Sequence, residues 1–136
     1  MRYLLDTNFI SELRKDDRAN HGVQAWAMAH DPSLCALSVV TLGEIRRGIE
    51  DKRRKDPQQA QAIEQWLGAI TIKYEATILP VSVEIADRWG RLLSATQLPS
   101  QDLLLAATAL EHGLTVVTRN VGDFEGSGAR FHNPWK

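Results

Sequence analysis

Hydrophobic residues along this chain fall into two patterns that follow one another from end to end. The first pattern is a short apolar run of three or four residues, which is typical of a buried strand. A looser, alternating version of it surrounds Pro80 and indicates a strand at the edge of a sheet. These strand patterns lie at residues 3–5, 34–37 and 114–117, at alternating positions 79, 81 and 83, and at residues 130–132.

The second pattern is an apolar stripe with helical spacing. Ser38 and Ser100 stand where two of these stripes begin, and Pro57 separates two helices within a polar stretch. The stripe that ends before Gly113 is apolar nearly all round, which predicts a buried helix with a C′ glycine. The predicted helices lie around residues 10–13, 23–30, 38–49, 63–70, 85–93 and 100–112.

Short strands that alternate with helices predict an α/β fold with a mostly parallel central sheet flanked by helices. The chain has 136 residues, of which 43% are hydrophobic and 24% charged. This length and composition predict a single globular domain over residues 1–136. We find no internal repeat, low-complexity segment or linker that would divide it.

Charge and cysteine content narrow the setting in which the protein works. The formal net charge of -1 gives no global signal for nucleic acid, so any such binding requires a local basic patch. Cys35 is the only cysteine, so no intramolecular disulfide can form and a reducing compartment fits. No leader and no apolar run long enough to span a bilayer is visible in the sequence. We therefore expect a cytoplasmic protein without a membrane partner.

Asp6 directly follows the first strand and precedes the first helix. In open α/β sheets, ligands bind at the carboxyl ends of the strands, so this carboxylate is a candidate site residue. The simpler interpretation is that Asp6 or Asn8 caps the helix, since both residue types are favoured at the N-cap. Asp6 taken alone favours the cap.

Three other acidic residues also stand near strand ends or in the opening turns of the next helix. Each has a structural alternative: Glu44 can form a capping box with Thr41, Asp102 can favour the positive end of its helix, and Asp123 can form an Asx turn. In a parallel sheet, however, these positions and Asp6 share one edge. Four carboxylates that converge repel one another unless a cation holds them.

The predicted ligands are oxygen atoms only, which suits a hard cation such as Mg²⁺ or Mn²⁺. Zinc is disfavoured because the histidines stand in dissimilar contexts. They are His21, His30, His112 and His132.

The motifs LLDTNFISEL, LSVVTLGEI, LPSQDLLLAATALEHGLTVVTRNVGDF and NPW occur in this order. Together they resemble PIN-domain ribonucleases, especially the VapC-type toxins of type II toxin–antitoxin pairs, over essentially the whole chain. The resemblance implies that Asp6, Glu44 and Asp102 are the core acidic residues, with Asn8 and Thr118 as polar supports.

One position departs from that family pattern. Many relatives carry an acidic residue directly after the Thr-Arg pair, where this chain has Asn120. The fourth acidic residue would then be Asp123.

The resemblance implies hydrolysis of RNA by water that carboxylate-bound Mg²⁺ activates. Asp6 and Asp102 are the expected direct ligands, with Glu44 and Asp123 acting through water or a second ion. Arg119 is the best candidate for a phosphate contact. The basic run at residues 46–55 is more simply a solvated helix face, interleaved as it is with acidic residues.

The resemblance also implies a small cognate antitoxin and self-association into a homodimer or a higher assembly with it. We expect an antitoxin arginine to face the acidic groove, since guanidinium pairs well with carboxylates. Trp26 and Ile49 are candidate apolar anchors for the antitoxin segment.

Two alternatives remain open from the sequence. A phosphatase would use Asp6 as a covalent nucleophile, although Asn8 stands where such enzymes typically have a second acid. A catalytically idle module would bind RNA or protein through the same fold. The intact acidic set argues against idleness, because an unused cluster of like charges costs stability.

Overall fold

The computed structural model describes all 136 residues as one parallel sheet covered by helices. Its five strands are β1 (Tyr3–Leu5), β2 (Cys35–Ser38), β3 (Ile78–Leu79), β4 (Thr115–Val117) and β5 (Arg130–His132). Its six α-helices are α1 (Thr7–Leu13), α2 (His21–Ala29), α3 (Val39–Arg53), α4 (Pro57–Lys73), α5 (Val83–Ala95) and α6 (Ser100–His112).

The strand order is β3-β2-β1-β4-β5, and every neighbouring pair is parallel. The predicted α/β class with a parallel sheet is therefore confirmed. Because all five strands point the same way, their carboxyl ends lie along one edge. The sheet order puts β1 at the centre, so Asp6 emerges in the middle of that edge.

The prediction of a strand through positions 81 and 83 is wrong. Strand β3 ends at Leu79, and Val83 is already the first residue of α5. Pro80 has no N–H to donate to a ladder, which ends the strand. The hydroxyl of Ser82 then accepts a hydrogen bond of 3.1 Å from the amide of Ile85 and begins the helix.

The core lies on both faces of the sheet, because successive strand residues point to opposite sides. In β1, Leu5 packs into the cluster that includes Phe9 and Ile10 of α1, while Leu4 packs with Leu105 of α6. Six residues of α6 are buried, as predicted for a helix with apolar residues nearly all round. No helix has the length and apolarity that crossing a bilayer requires.

The carboxyl-terminal segment is fastened to the start of α2. The Asn20 side chain donates to the Lys136 carbonyl (2.7 Å) and accepts from the Lys136 amide (3.1 Å). The same side-chain oxygen caps α2 by accepting from the amide of Gly22 (2.9 Å). Gly22 has to be small here, because a Cβ on it would overlap the carbonyl oxygen of Pro134.

We expect Gly22→Ala to lower the free energy of unfolding by about 1–3 kcal/mol, the typical cost of overpacking a closed contact. Gly90 is a matched control, since a Cβ there meets nothing within 4 Å in the interior of α5. Gly90→Ala should raise stability by up to about 1 kcal/mol. Urea denaturation of both variants measures the difference, and equal shifts would show that the contact with Pro134 is unimportant.

Candidate active site

Asp6 is held rigidly at the centre of the sheet edge. Its amide donates to the carbonyl of Val117 (3.0 Å), which extends the pairing of β1 with β4 by one residue. Its carboxylate accepts from the amide of Thr7 (2.7 Å) and from the hydroxyl of Thr118 (2.8 Å). Asp6 is therefore the N-cap of α1 and, at the same time, a buried acid at the strand end.

Thr118 and Asn8 join the ends of β1 and β4 around this carboxylate. The Asn8 amide group donates to Asp6 (3.2 Å) and to the Thr118 hydroxyl (3.3 Å). Its oxygen accepts from the amide of Arg119 (3.2 Å), and the Asn120 amide donates to Thr118 Oγ1 (3.0 Å). These contacts fix the orientation of Asp6 and favour the supporting role expected for Asn8 and Thr118.

Burial raises the pKa of the Asp6 carboxyl above its ordinary value. The hydrogen bonds from Thr118, Thr7 and Asn8 oppose the rise, whereas the charge of Asp123 adds to it. The net direction is upward, so the ionised form of Asp6 is disfavoured in spite of its three donors.

Glu44 reaches the same edge from the second turn of α3. Its carboxylate accepts a hydrogen bond from the hydroxyl of Thr7 (3.3 Å). Burial, and next the charge of Asp6, raise its pKa. The capping-box alternative is wrong, because Ser38 is the N-cap of α3 and the buried Thr41 hydroxyl makes no hydrogen bond.

Asp102 lies in the first turn of α6, where its side chain makes no cap. Burial raises its pKa to about 7, and the charges of Asp6, Asp123 and Glu44 contribute in that order. Asp123 ends a 3-10 turn at Val121–Asp123 and is one of the residues that raise the pKa of Asp102. The Asx-turn alternative for Asp123 is wrong, because its side chain accepts no hydrogen bond from the loop backbone.

The four predicted acidic residues thus lie at one edge of the sheet, close enough for their charges to interact. The charges of Asp6, Asp123 and Glu44 all raise the pKa of Asp102, Asp123 also raises that of Asp6, and Asp6 raises that of Glu44. No group of three or more His, Cys, Asp or Glu side chains is already arranged as a metal-binding cluster. The donor set fits a hard cation, since it consists of carboxylate and neutral oxygens, but binding an ion would require the carboxylates to draw together.

Comparison with known proteins places this arrangement in a family. The family model described as the PIN domain matches residues 3–125. The chain belongs to the PIN domain family.

Individual relatives agree with this PIN assignment along the full chain. The curated protein "VapC ribonuclease Y4jK" of Sinorhizobium fredii is 30% identical over 142 residues, which span 98% of this chain and 97% of the relative. The crystal structure of FitAcB from Neisseria gonorrhoeae is similar with a TM-score of 0.88 and 29% identity, covering 98% of each chain. A toxin–antitoxin complex from Klebsiella pneumoniae has a TM-score of 0.72 and 26% identity, also over 98% of each chain.

The basic run of this PIN domain divides into paired and unpaired cations. Arg46 and Arg53 share Glu50 and Glu64, and Arg54 pairs with Asp51. These three arginines form the solvated helix face that the sequence predicts. The remaining members make no ion pair: Arg47, Lys52 and Lys55.

Arg119 lies beside the acidic cluster, directly after Thr118. Its guanidinium is 5.9 Å from the centre of the Trp135 ring, and its amide is bound to Asn8. The cation–π contact holds the guanidinium over Trp135, and the guanidinium forms no ion pair. Its role in contacting phosphate stays a prediction.

Of the two apolar anchors expected for an antitoxin segment, Ile49 does not fit. Ile49 is only 1% exposed and belongs to the core cluster that also contains Phe9. Trp26 is half-buried and stacks on His30, with ring centroids 3.9 Å apart. Its role as an anchor stays a prediction.

The contribution of Thr7 was not predicted from the sequence. Its hydroxyl donates to Glu44 while its amide donates to Asp6, so it links two of the acidic residues. The only signal was its position between Asp6 and Asn8. Local sequence does not show that α3 passes within hydrogen-bond distance.

Asp123 and Asn120 contribute to the cluster in different ways. The charge of Asp123 reaches Asp6 and Asp102, whereas Asn120 contributes its backbone amide to Thr118 and no side-chain hydrogen bond. We therefore expect Asp123→Ala to lower nuclease activity by about tenfold, the scale of removing an outer partner of a metal ligand, and Asn120→Ala much less. Cleavage rates of the two purified variants decide this. A larger loss with Asn120→Ala would mean that Asn120 occupies the position that the family usually gives to an acid.

Proposed function

We propose that this chain is a Mg²⁺-dependent endoribonuclease that acts as the toxin of a type II toxin–antitoxin pair. The observation that carries the proposal is the cluster of Asp6, Glu44, Asp102 and Asp123 at the carboxyl edge of a PIN-domain sheet. The relative named VapC ribonuclease and the similar toxin–antitoxin complex support both halves of it. With no membrane-spanning helix, the cytoplasm is the proposed location.

Asp6 and Asp102 would hold the metal directly, with Glu44 and Asp123 binding through water. Mg²⁺, or Mn²⁺ in its place, supplies an activated water and neutralises charge on the scissile phosphate when it is bound. Thr118, Asn8 and the Thr7 amide keep Asp6 in one orientation for this task. Their hydrogen bonds favour the ionised carboxylate, which is the form that binds a cation.

Glu44 and Arg119 would assist this centre. The raised pKa of Glu44 makes it a better proton acceptor than an ordinary glutamate. Arg119 would contact a phosphate oxygen of the RNA from its place over Trp135.

A cognate antitoxin would silence the enzyme by occupying the acidic groove. An arginine directed toward Asp6, Glu44 and Asp102 would satisfy carboxylates whose ionised forms are otherwise disfavoured. A homodimer, or a higher assembly with the antitoxin, would place two grooves in one particle.

The idle-module and phosphatase alternatives make different predictions in one experiment. The chain is co-expressed with any small reading frame found next to its gene, purified, and assayed for RNA cleavage with Mg²⁺ and with EDTA, alone and in complex. We expect the two proteins to co-purify. The free chain should cleave RNA with Mg²⁺ only, and the complex should not cleave it. A chain that neither co-purifies nor cleaves RNA would be an idle module. Phosphate release from a phosphoester, with a phosphorylated Asp6, would favour the phosphatase.

A further inference from the structure

A recess of about 260 Å³ opens beside the acidic cluster between α1, α3 and α4. Thr7 and Glu44, which are hydrogen-bonded to each other, form part of its wall. The recess therefore begins at the cluster itself and leads away from it.

Two of the three helices that line this recess, α1 and α3, each carry a polar residue at the cluster, then a small residue, then a cation. Along α3, Glu44 is followed one turn later by Gly48 and two turns later by Lys52. Along α1, Thr7 is followed by Ser11 and then by Arg14, the residue that ends the helix. At 1.5 Å per residue, each cation lies about 10–12 Å along its helix from the cluster.

The two cations of the recess have no anionic partner in the protein. Lys52 and Arg14 are each half-buried, yet neither side chain forms an ion pair or a hydrogen bond. Arg14 lies 5.9 Å from the centre of the Trp66 ring, which restricts its position. Partly desolvated cations that lack a partner gain the most from an added anion.

Small residues form the floor of the recess where a ligand would cross it. Gly48 has no atom within 4 Å of an added Cβ, and Ser11 is small and makes no side-chain hydrogen bond. Ile45 and Ile49 also line the recess but are only 6% and 1% exposed, whereas the half-buried Ile63 and Trp66 of α4 form an apolar side wall. The two unpaired cations favour a narrow anionic ligand that passes over Gly48 beside this wall.

We propose that this recess binds the sugar–phosphate backbone of single-stranded RNA next to the cleaved bond, with Arg14 and Lys52 contacting phosphates and Gly48 leaving room for the chain. The inference rests on the proposed ribonuclease function, because that function puts the scissile phosphate at the acidic cluster. It extends the substrate site along α1 and α3. An acidic segment of a partner protein is the competing occupant.

Direct binding separates this inference from the hydrolysis itself. The probe is a short fluorescein-labelled RNA with 2′-O-methyl groups, which resists cleavage, and its anisotropy is followed at several salt concentrations. The double variant Arg14→Gln/Lys52→Gln should bind at least tenfold more weakly than wild type. The slope of log K against log salt should fall by about 0.7 for each phosphate that the protein no longer neutralises. Lys55→Gln is the matched control, because Lys55 is exposed and lies outside this recess.

A steric variant tests the floor without changing charge. Gly48→Gln should weaken RNA binding and raise KM while kcat stays within about threefold, since the cluster is untouched. Gly68→Gln is its control, because Gly68 is also exposed in a helix interior with open space around it. Both substitutions should leave thermal stability equal to or above that of wild type.

These measurements distinguish a failure of the recess assignment from a failure of the proposed ribonuclease function. If the chain cleaves RNA but the charge and steric variants keep the wild-type RNA affinity and salt slope, the recess assignment is wrong and the ribonuclease function is unaffected. The same result combined with loss of antitoxin binding would assign the recess to the partner protein. If the wild-type chain binds RNA without cleaving it, and the variants lose this binding, the recess assignment is supported and the nuclease function is rejected.

Discussion

Asp6→Asn and Asp102→Asn are each expected to lower the rate of Mg²⁺-dependent RNA cleavage by at least about 10³-fold, equivalent to about 4 kcal/mol of transition-state stabilisation. Each substitution removes one negative charge and one anionic ligand from the cluster while keeping the side chain's shape. A cation site built on carboxylates loses both affinity and orientation when either expected direct ligand becomes neutral.

The folded structure should survive these substitutions. An asparagine at position 6 can still cap α1 by accepting from the amide of Thr7. Its amino group would face two existing donors, the Thr118 hydroxyl and the Asn8 amide. The hydroxyl can turn to accept instead, so only the hydrogen bond from Asn8 is lost, at a cost of about 1 kcal/mol. Asp102 caps nothing, and its replacement removes only repulsion.

The measurement is single-turnover cleavage of a labelled RNA by purified protein, with circular dichroism as the check on folding. Asp17→Asn is the charge-matched control, because Asp17 is exposed and makes no ion pair or side-chain hydrogen bond. Wild-type rates in the Asp6 or Asp102 variant would remove these residues from the metal site. A loss that the control shares would point to net charge instead.

The fold was largely predictable because hydrophobic residues follow different patterns in the strands and in the helices of this chain. Residues 3–5 and 114–117 are short apolar runs, which is typical of buried strands, and α6 is apolar nearly all round. The error around position 83 arose where both periods fit a few residues. Alternation at 79, 81 and 83 outweighed the N-cap signal of Ser82, although that hydroxyl begins α5.

The candidate site was predictable as far as strand ends determine it. Asp6 and Thr118 follow paired strands, so topology alone brings them to one edge. The contact between Thr7 and Glu44 depends on the angle at which α3 crosses α1, which no local pattern encodes. For the same reason the sequence showed a basic run but not that Lys52 lacks the partners that Arg46 has.

The metal-free protein should lose stability as the pH rises from about 4 to about 7. The pKa of Asp102 is raised from its ordinary value of 3.8 to about 7, and the pKa values of Asp6 and Glu44 are raised as well. Between these values the folded chain binds more protons than the unfolded chain, so the free energy of unfolding falls with rising pH. Stabilisation by the protonated carboxyl is complete below pH 4 and is gone above pH 7.

Asp102→Asn removes this dependence and should therefore be more stable than wild type at pH 8 in EDTA. We expect a difference of about 1–2 kcal/mol, discounted because solvent screens a half-buried carboxyl, which corresponds to about 3–8 °C in Tm. Below pH 4 the two proteins should melt together, and Asp17→Asn should follow wild type throughout. Added Mg²⁺ should raise the Tm of wild type at pH 8 and leave the variant nearly unchanged, because only a site with its ligands intact gains from binding. Parallel pH profiles for wild type and Asp102→Asn would mean that Asp102 is ordinary in its titration and that the carboxylates do not form one electrostatic cluster.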